Sequence, residues 1–282
     1  MGFFFNERSQ DRMMIKVNPL DVFRLARWKL VNQMNQFIQP QTELFALNVL
    51  DSSPLKDPDS LTLEFQSLGS WHTQFNLKGK MFGGITDYSM CQRFHDFSKW
   101  YKNGGRILEL ASFEGMHSFL SSQLPGVTEV VGLEGRDYNV RKAQFVQKLL
   151  KKDNVHFSVS NLEKVDLSKY GKFDVVFCAG LLYHLTKPWE LIAEVAKVSD
   201  RFFLSTHYSL TRKVKHHGYT GKFYQEFGFE DSQSGLESFS FWPTYGELVR
   251  MLNEGGFRVK KSHHIPDYIY APLVNLYCLK DV

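Results

Sequence analysis

From about residue 104 onward, short apolar runs alternate with stretches of helical period. The segments RILEL, EVVGLE, VHFSVS, FDVVFCAG and RFFLST read as strands, all but the alternating VHFSVS apolar at consecutive positions. That pattern belongs to strands covered on both faces. Between them, helices are predicted around 115–124, across NVRKAQFVQKLLKK, and from Pro188 to Val198. Strands and helices in this alternation predict a parallel, doubly wound sheet. A further helix in PTYGELVRMLNEGGF stops at glycine, and RVKKSHHI and LVNLYCLK then read as two closing strands, an antiparallel edge pair. The expected fold class is α/β: a Rossmann-like, doubly wound, seven-stranded sheet, mostly parallel with an antiparallel edge strand, plus an N-terminal helical cap.

The pattern also divides the chain. Residues 18–50 carry apolar positions at helical spacing with a break at Pro40, and SSPLKDPDS reads as a linker. WHTQFNLKGKMFGG suggests a short β or loop segment, and YSMCQRFHDFSKWYK a helix leading to Gly104. Residues 1–100 are therefore expected to form the cap and linker, and 101–282 the α/β domain. Within it, 207–241 break the rhythm with a segment rich in Gly, His, Lys and aromatic residues. An insertion of that length in a compact domain is expected to be a lid or substrate wall.

Composition changes this picture little. With 282 residues, 43% hydrophobic, the chain can bury the core of one generous α/β domain. A net charge of +4 tolerates an anionic substrate but gives no coherent basic surface, so a small molecule rather than nucleic acid is the expected partner. Cys91, Cys178 and Cys278 are widely spaced, without a CxxC or Cys/His cluster, so no metal site is expected and a reducing, cytoplasmic setting fits. MGFFFNERSQ makes a poor signal peptide, Asn6 argues against myristoylation at Gly2, and no apolar run reaches membrane-spanning length. The chain is read as a monomer or homodimer.

The candidate chemistry begins at the first βα turn, GGRILELASFEG, because ligands of open α/β sheets bind beyond the carboxyl ends of the strands. Glu109 lies near the end of the first strand and Glu134 ends the second, where a carboxylate can accept from both hydroxyls of a ribose. A diphosphate would want a helix start free of negative charge. Here Glu109 and Glu114 flank it, so a phosphate-free nucleoside with a positive centre fits better.

The region 104–206 resembles the class I S-adenosylmethionine-dependent methyltransferases. LELASFEG matches their first motif, with Glu109 at the acidic position, Ala111 and Phe113 in place of two glycines, and Gly115 as the third. VVGLEGR resembles the second motif (Glu134, Gly135) and VSNLEKV the third (Ser160, Asn161 and Leu162 flanking the adenine). FDVVFCAG resembles the fourth, with Cys178, Ala179 and Gly180 at the methionine end. The resemblance implies S-adenosylmethionine as donor and S-adenosylhomocysteine as product. A narrower likeness, carried by LLYHLTKP, WHTQFNL and FWPTYGELVRMLNEGGF, is to the group containing tRNA wobble-uridine carboxymethyltransferases. It implies roles for Tyr183, His184, Trp71 and His72.

A hydroxyl acceptor benefits from a base near neutral pKa, and histidine suits it. His184 follows the fourth strand and His207 ends the fifth, so both are candidate catalytic residues together with Tyr183. A helix-start histidine satisfied by a backbone carbonyl accounts for His184 equally well. Tyr208, Glu226, Phe241 and Trp242 are candidate acceptor-site residues, with Trp71 and His72. Arg212, Lys213, Lys215, His216, His217 and Lys222 form either a solvated loop or a clamp for an anionic substrate. No cation adjoins Tyr183 in the sequence to pair with an added carboxylate on the donor. The expected activity is methyl transfer to a hydroxyl, or second to an amine, of a small polar metabolite such as a sugar or natural-product intermediate. The alternatives are a tRNA wobble-uridine modifying transferase and a non-catalytic binding module that keeps the fold.

Overall fold

The computed structural model describes residues 57–266, 268 and 271–281. The helices expected in 18–50, and with them most of the cap, lie outside the described residues. Asp57 opens α1 (Pro58–Ser67), its side chain accepting the Ser60 N–H at 3.1 Å, with Pro58 in the first helical position. This helix begins inside the stretch read as linker and continues beyond it. A hairpin follows, β1 (Gln74–Leu77) against β2 (Lys80–Gly83), and then α2 (Gln92–Trp100).

The main sheet is built from β3 (Gly105–Leu110), β4 (Val127–Glu134), β5 (Val155–Val159), β6 (Val175–Ala179) and β7 (Arg201–His207). The helices between are α3 (Met116–Ser121), α4 (Asp137–Leu150) and α5 (Pro188–Val198). The inserted segment is a small antiparallel sheet of β8 (Val214–His216), β9 (Tyr219–Gln225) and β10 (Phe239–Pro243). Then come α6 (Tyr245–Glu254), β11 (Phe257–Ile265) and β12 (Leu273–Lys280).

Strand order is β11-β12-β7-β6-β3-β4-β5. All pairs among β3 to β7 are parallel, and β12 runs antiparallel to both its neighbours. The chain builds outward from β3 to β5, then restarts beside β3 with β6. That reversal between β3 and β6 opens a crevice at their carboxyl ends.

Period-two alternation sorts the strand residues between two cores. Leu108, Leu110, Val176, Cys178, Phe202 and Leu204 pack in one core with Leu191, Ile192 and Val195 of α5 and Leu248, Met251 and Leu252 of α6. Ile107, Val175, Phe177 and Phe203 pack in the other with Phe94 and Phe97 of α2, Phe119 of α3, and Val140, Ala143 and Val146 of α4. The parity places Glu109 on this second face, under α2 and α3.

The hairpin and α1 join the second core through Leu61, Phe65, Phe75, Leu77 and Phe82. A buried ion pair holds the entry to this hairpin. Glu114, fully buried, lies 2.9 Å from Lys142 Nζ and accepts the backbone N–H groups of His72 and Thr73. Lys142 also donates to the Ser70 carbonyl. Lys142 is thus buried although its helix is rich in charged residues, and Glu114 is not an open carboxylate at the turn. Its charge is already balanced, which corrects its expected role in attracting a cation. Replacing Lys142 with methionine leaves Glu114 charged and buried without its cation, and should cost about 3–5 kcal/mol in urea unfolding. The double variant Glu114→Gln/Lys142→Met should recover much of that loss.

Candidate active site

The turn after β3 determines what the crevice can hold. Ala111 and Phe113 take the left-handed backbone conformation, φ 59° and 53°, where the related motif has glycine. The Phe113 ring turns toward His72 and Tyr88, with centroids at 5.7 and 6.2 Å, and its N–H donates to Glu134 Oε2 at 3.1 Å. Substituting these two glycines therefore preserves the glycine conformation. Gly115, φ 92°, acts behind the cleft surface: a Cβ there would stand 2.8 Å from the Phe157 ring and 3.1 Å from Ala143. It lets α3 approach the sheet and α4.

Glu134 is 4% exposed and lines the cleft. Besides Phe113 N–H it accepts Arg136 N–H at 3.0 Å and the Asn139 amide at 3.4 Å. Burial raises its pKa, against those donors, which lower it. Glu109 accepts from the Ser118 hydroxyl and lies 3.7 Å from His117 Nδ1. Burial pushes it up to about 7, opposed by His117 and Ser118, with Glu134 adding slightly to the rise. Cys91 and Arg93, from the start of α2, line the same wall. Burial alone would raise the Cys91 thiol, but His117 and Arg93 more than offset it and bring it to about 6.

The insertion closes the cleft. Arg136 donates to the carbonyls of Phe229, Gly228, Asp231 and Ser234, gathering the loop between β9 and β10. Ser232 to Leu236 of that loop line the cleft, and a Cβ on Gly135 would stand 2.8 Å from Leu236. The same loop builds a dyad. His184 Nδ1 lies 3.0 Å from Glu226 Oε2, and Glu226 also accepts from the Ser234 hydroxyl, the Gly235 N–H and the Ser240 hydroxyl. Burial would raise the pKa of Glu226, yet these donors, His184 first, hold it below the ordinary value. The carboxylate is ionised, and His184 lines the cleft.

Of the residues singled out in the sequence, the structure brings Glu109, Ala111, Phe113, Glu134, Gly135, Leu162, Ala179, Gly180, Tyr183 and His184 to one cleft. Several others lie elsewhere. Cys178 points to the opposite face of β6, fully buried under α5, where burial pushes its thiol up to about 12. Asn161 is exposed and its side chain accepts the Glu163 N–H within its own turn, while Leu162 and Glu163 reach the cleft. Trp71 packs on Phe65 and Phe75 and donates to the Phe65 carbonyl, and His72 is exposed beside Phe113, neither lining the cleft.

His207 is 3% exposed, stacked on Trp242 at 5.3 Å, with Nδ1 against the Ala271 and Pro272 carbonyls. Burial, chiefly, lowers its pKa to about 4, so it is neutral at pH 7 and a weak base. It supports Tyr183, whose ring lies 4.6 Å away. Tyr208 packs on Tyr245 and His264, and Trp242 is buried with Lys222 Nζ 4.2 Å from its ring centroid. Phe241 belongs to the core, and Arg212, Lys213 and Lys215 are exposed. Arg93, Cys91, His117 and Arg136 were not anticipated. Only Arg136, two residues past the acidic strand end, carried a positional signal. Among the described residues no group of three or more His, Cys, Asp or Glu is placed to hold a metal ion, and no helix is long and apolar enough to cross a membrane.

A left-handed turn, a strand-end carboxylate and a crevice at the β3/β6 reversal define a nucleoside-binding α/β enzyme. The methyltransferase-domain family model matches residues 101–256, more than half of the chain, and the chain belongs to that family. It is an S-adenosylmethionine-dependent methyltransferase of class I architecture. No curated protein matches it in sequence. Among solved structures, the N-terminal domain of EvdMO1, crystallised in the presence of S-adenosylhomocysteine and D-fucose, is 28% identical with a TM-score of 0.71; the match covers 82% of this chain and 100% of that one. Against full EvdMO1 the identity is 26% and the TM-score 0.62, with 82% of this chain and 49% of that chain covered. Magnesium protoporphyrin IX methyltransferase (ChlM) from Synechocystis PCC 6803, 17% identical over 71% of this chain and 90% of that one with a TM-score of 0.50, shares the fold.

If the donor sits against Glu109, as the sequence leads one to expect, the state of that carboxyl sets the pH dependence of binding. A cationic ligand needs the carboxylate ionised, and in the free protein that fraction grows as pH rises through about 7. Donor affinity measured by calorimetry should therefore strengthen by about tenfold between pH 6 and 8, with proton release on binding. Glu109→Gln should bind more weakly and flatten that profile.

Proposed function

We propose that the cleft transfers the methyl group of S-adenosylmethionine to a hydroxyl of a small polar acceptor, a sugar in the first instance. The residues suit the donor. Glu134, which already accepts three donors, keeps one acceptor site for a ribose hydroxyl, Leu162 offers an apolar edge for the adenine, and Glu109 offers a carboxylate to a positive centre. The bound donor supplies an electrophilic methyl carbon on a sulfonium.

The chain's own residues then have three tasks. The loop 232–236 and Tyr183 confine the acceptor and exclude water, so that oxygen, carbon and sulfur can align. His184 takes the acceptor's hydroxyl proton at Nε2, because Nδ1 is committed to Glu226. Glu226, ionised and held by three further donors, fixes the ring and stabilises the imidazolium that forms. This dyad carries the assignment. A methyl acceptor with no proton to lose would need no such base. The solved relative crystallised with S-adenosylhomocysteine and D-fucose supports a sugar hydroxyl.

The test is turnover of labelled donor with a panel of hexoses, deoxyhexoses and their glycosides. His184→Gln should lower kcat by about 10²–10⁴-fold while leaving donor affinity within about twofold. Full turnover in that variant would remove the base from the mechanism, and failure of every sugar would remove the acceptor class.

A further inference from the structure

The cleft wall opposite the insertion holds a charge that the donor reading has not yet used. Arg93, half-buried on the first turn of α2, lines the cleft together with Cys91 and His117. Its guanidinium lies over the end of β6: a Cβ on Gly180 would stand 2.8 Å from Arg93 Nη1 and 3.7 Å from the Tyr183 hydroxyl. Gly180 has φ 92°, so the backbone there is both glycine-like and bare enough to let the guanidinium rest on it. Here, then, is a cation beside Tyr183 that the sequence did not show.

Glu109 is next to this site. It pairs across the sheet with Phe177, three residues before Gly180, and His117 feels both Glu109 and Arg93. The cleft thus carries a carboxylate and a guanidinium that both act on His117, a pattern complementary to a zwitterion. Glu134 and Glu163 also line the cleft, and the guanidinium of Arg136, which lines it too, is directed at four main-chain carbonyls, so Arg93 is the cation placed to receive an anionic group on a ligand. Guanidinium is the donor best matched to a planar carboxylate, because two parallel N–H bonds fit its two oxygens.

We propose that Arg93 is the carboxylate-binding residue of this cleft, receiving the α-carboxylate of the donor's amino-acid end while Glu109 receives the adjacent ammonium. This rests on the donor reading above. Gly180 is then required because any side chain would displace the guanidinium.

The test compares two ligands by calorimetry on the full chain: S-adenosylhomocysteine, and its decarboxylated analogue, which keeps the ammonium and lacks the carboxylate. Wild type should prefer the first by about tenfold to a hundredfold, the worth of a charged hydrogen-bonded contact. Arg93→Met should lose that preference by weakening only S-adenosylhomocysteine, and Arg93→Lys should restore part of it. Equal weakening of both ligands in Arg93→Met, or none, overturns the assignment. If Arg93→Met binds neither ligand, Arg93→Lys decides: the preference must be reduced and the decarboxylated ligand still bound, or the assignment falls. Wild type binding both ligands equally well also overturns it while leaving the donor reading intact. Wild type binding neither overturns the donor reading itself.

Discussion

A carboxylate taken out of water must recover its hydration from fixed donors, and around Glu134 that requirement organises the site. Its donors come from three places: the N–H of Phe113 in the turn after β3, the N–H of Arg136 just past its own strand, and the amide of Asn139 on α4. The turn thus has a reason to hold Phe113 in a conformation that a phenylalanine avoids, since otherwise the buried oxygen loses a partner. Strain at one residue is offset by solvation of another. The ligand floor is a consequence of that balance.

From there the site divides by origin. On the proposed reading the sheet supplies the donor side, from the carboxyl ends of β3, β4 and β6, where strand geometry leaves little freedom, and the insertion supplies the acceptor side, through Glu226 and the loop after β9. His184 belongs to the first group and depends on the second, because it follows β6 yet takes its orientation from Glu226. Chemistry therefore requires both parts to be folded at once.

How much of this was legible in the sequence follows from the range of each interaction. The strands, the helices between them and the turn were readable because apolar period and a local motif specify them within a few residues. Glu109 and Glu134 were readable as cleft residues for the same reason, whereas Gly115, expected at the ligand, faces Phe157 and Ala143 behind the cleft. Cys178 was misplaced because adjacency in a motif does not say which face of a strand a side chain takes; the alternation from Val175 to Ala179 does, and it sends Cys178 into the core with Val176. His207 was misjudged because a strand-end histidine resembles a base until Trp242 is seen stacked on it. Arg93 and Lys142 were invisible as site residues: their partners lie tens of residues away, and nothing local distinguishes such a side chain from a solvated one, while Arg136 offered only its position just past the acidic strand end. The helix α1 was the opposite case, since Asp57 and Pro58 announced it and the surrounding prolines read as linker.

Arg136 spends its guanidinium on four main-chain carbonyls, and none of the contacts depends on which side chains the loop carries. A loop fastened by its backbone can change those lining residues that carry no other contact while keeping its path. Point substitution at Ser232 and Gln233 can therefore alter the lining without renegotiating the anchor, whereas Ser234 and Gly235 are tied to Glu226 and Leu236 packs on Gly135. Transplanting a whole foreign loop is different: it succeeds only when the incoming segment offers carbonyls in the same four places.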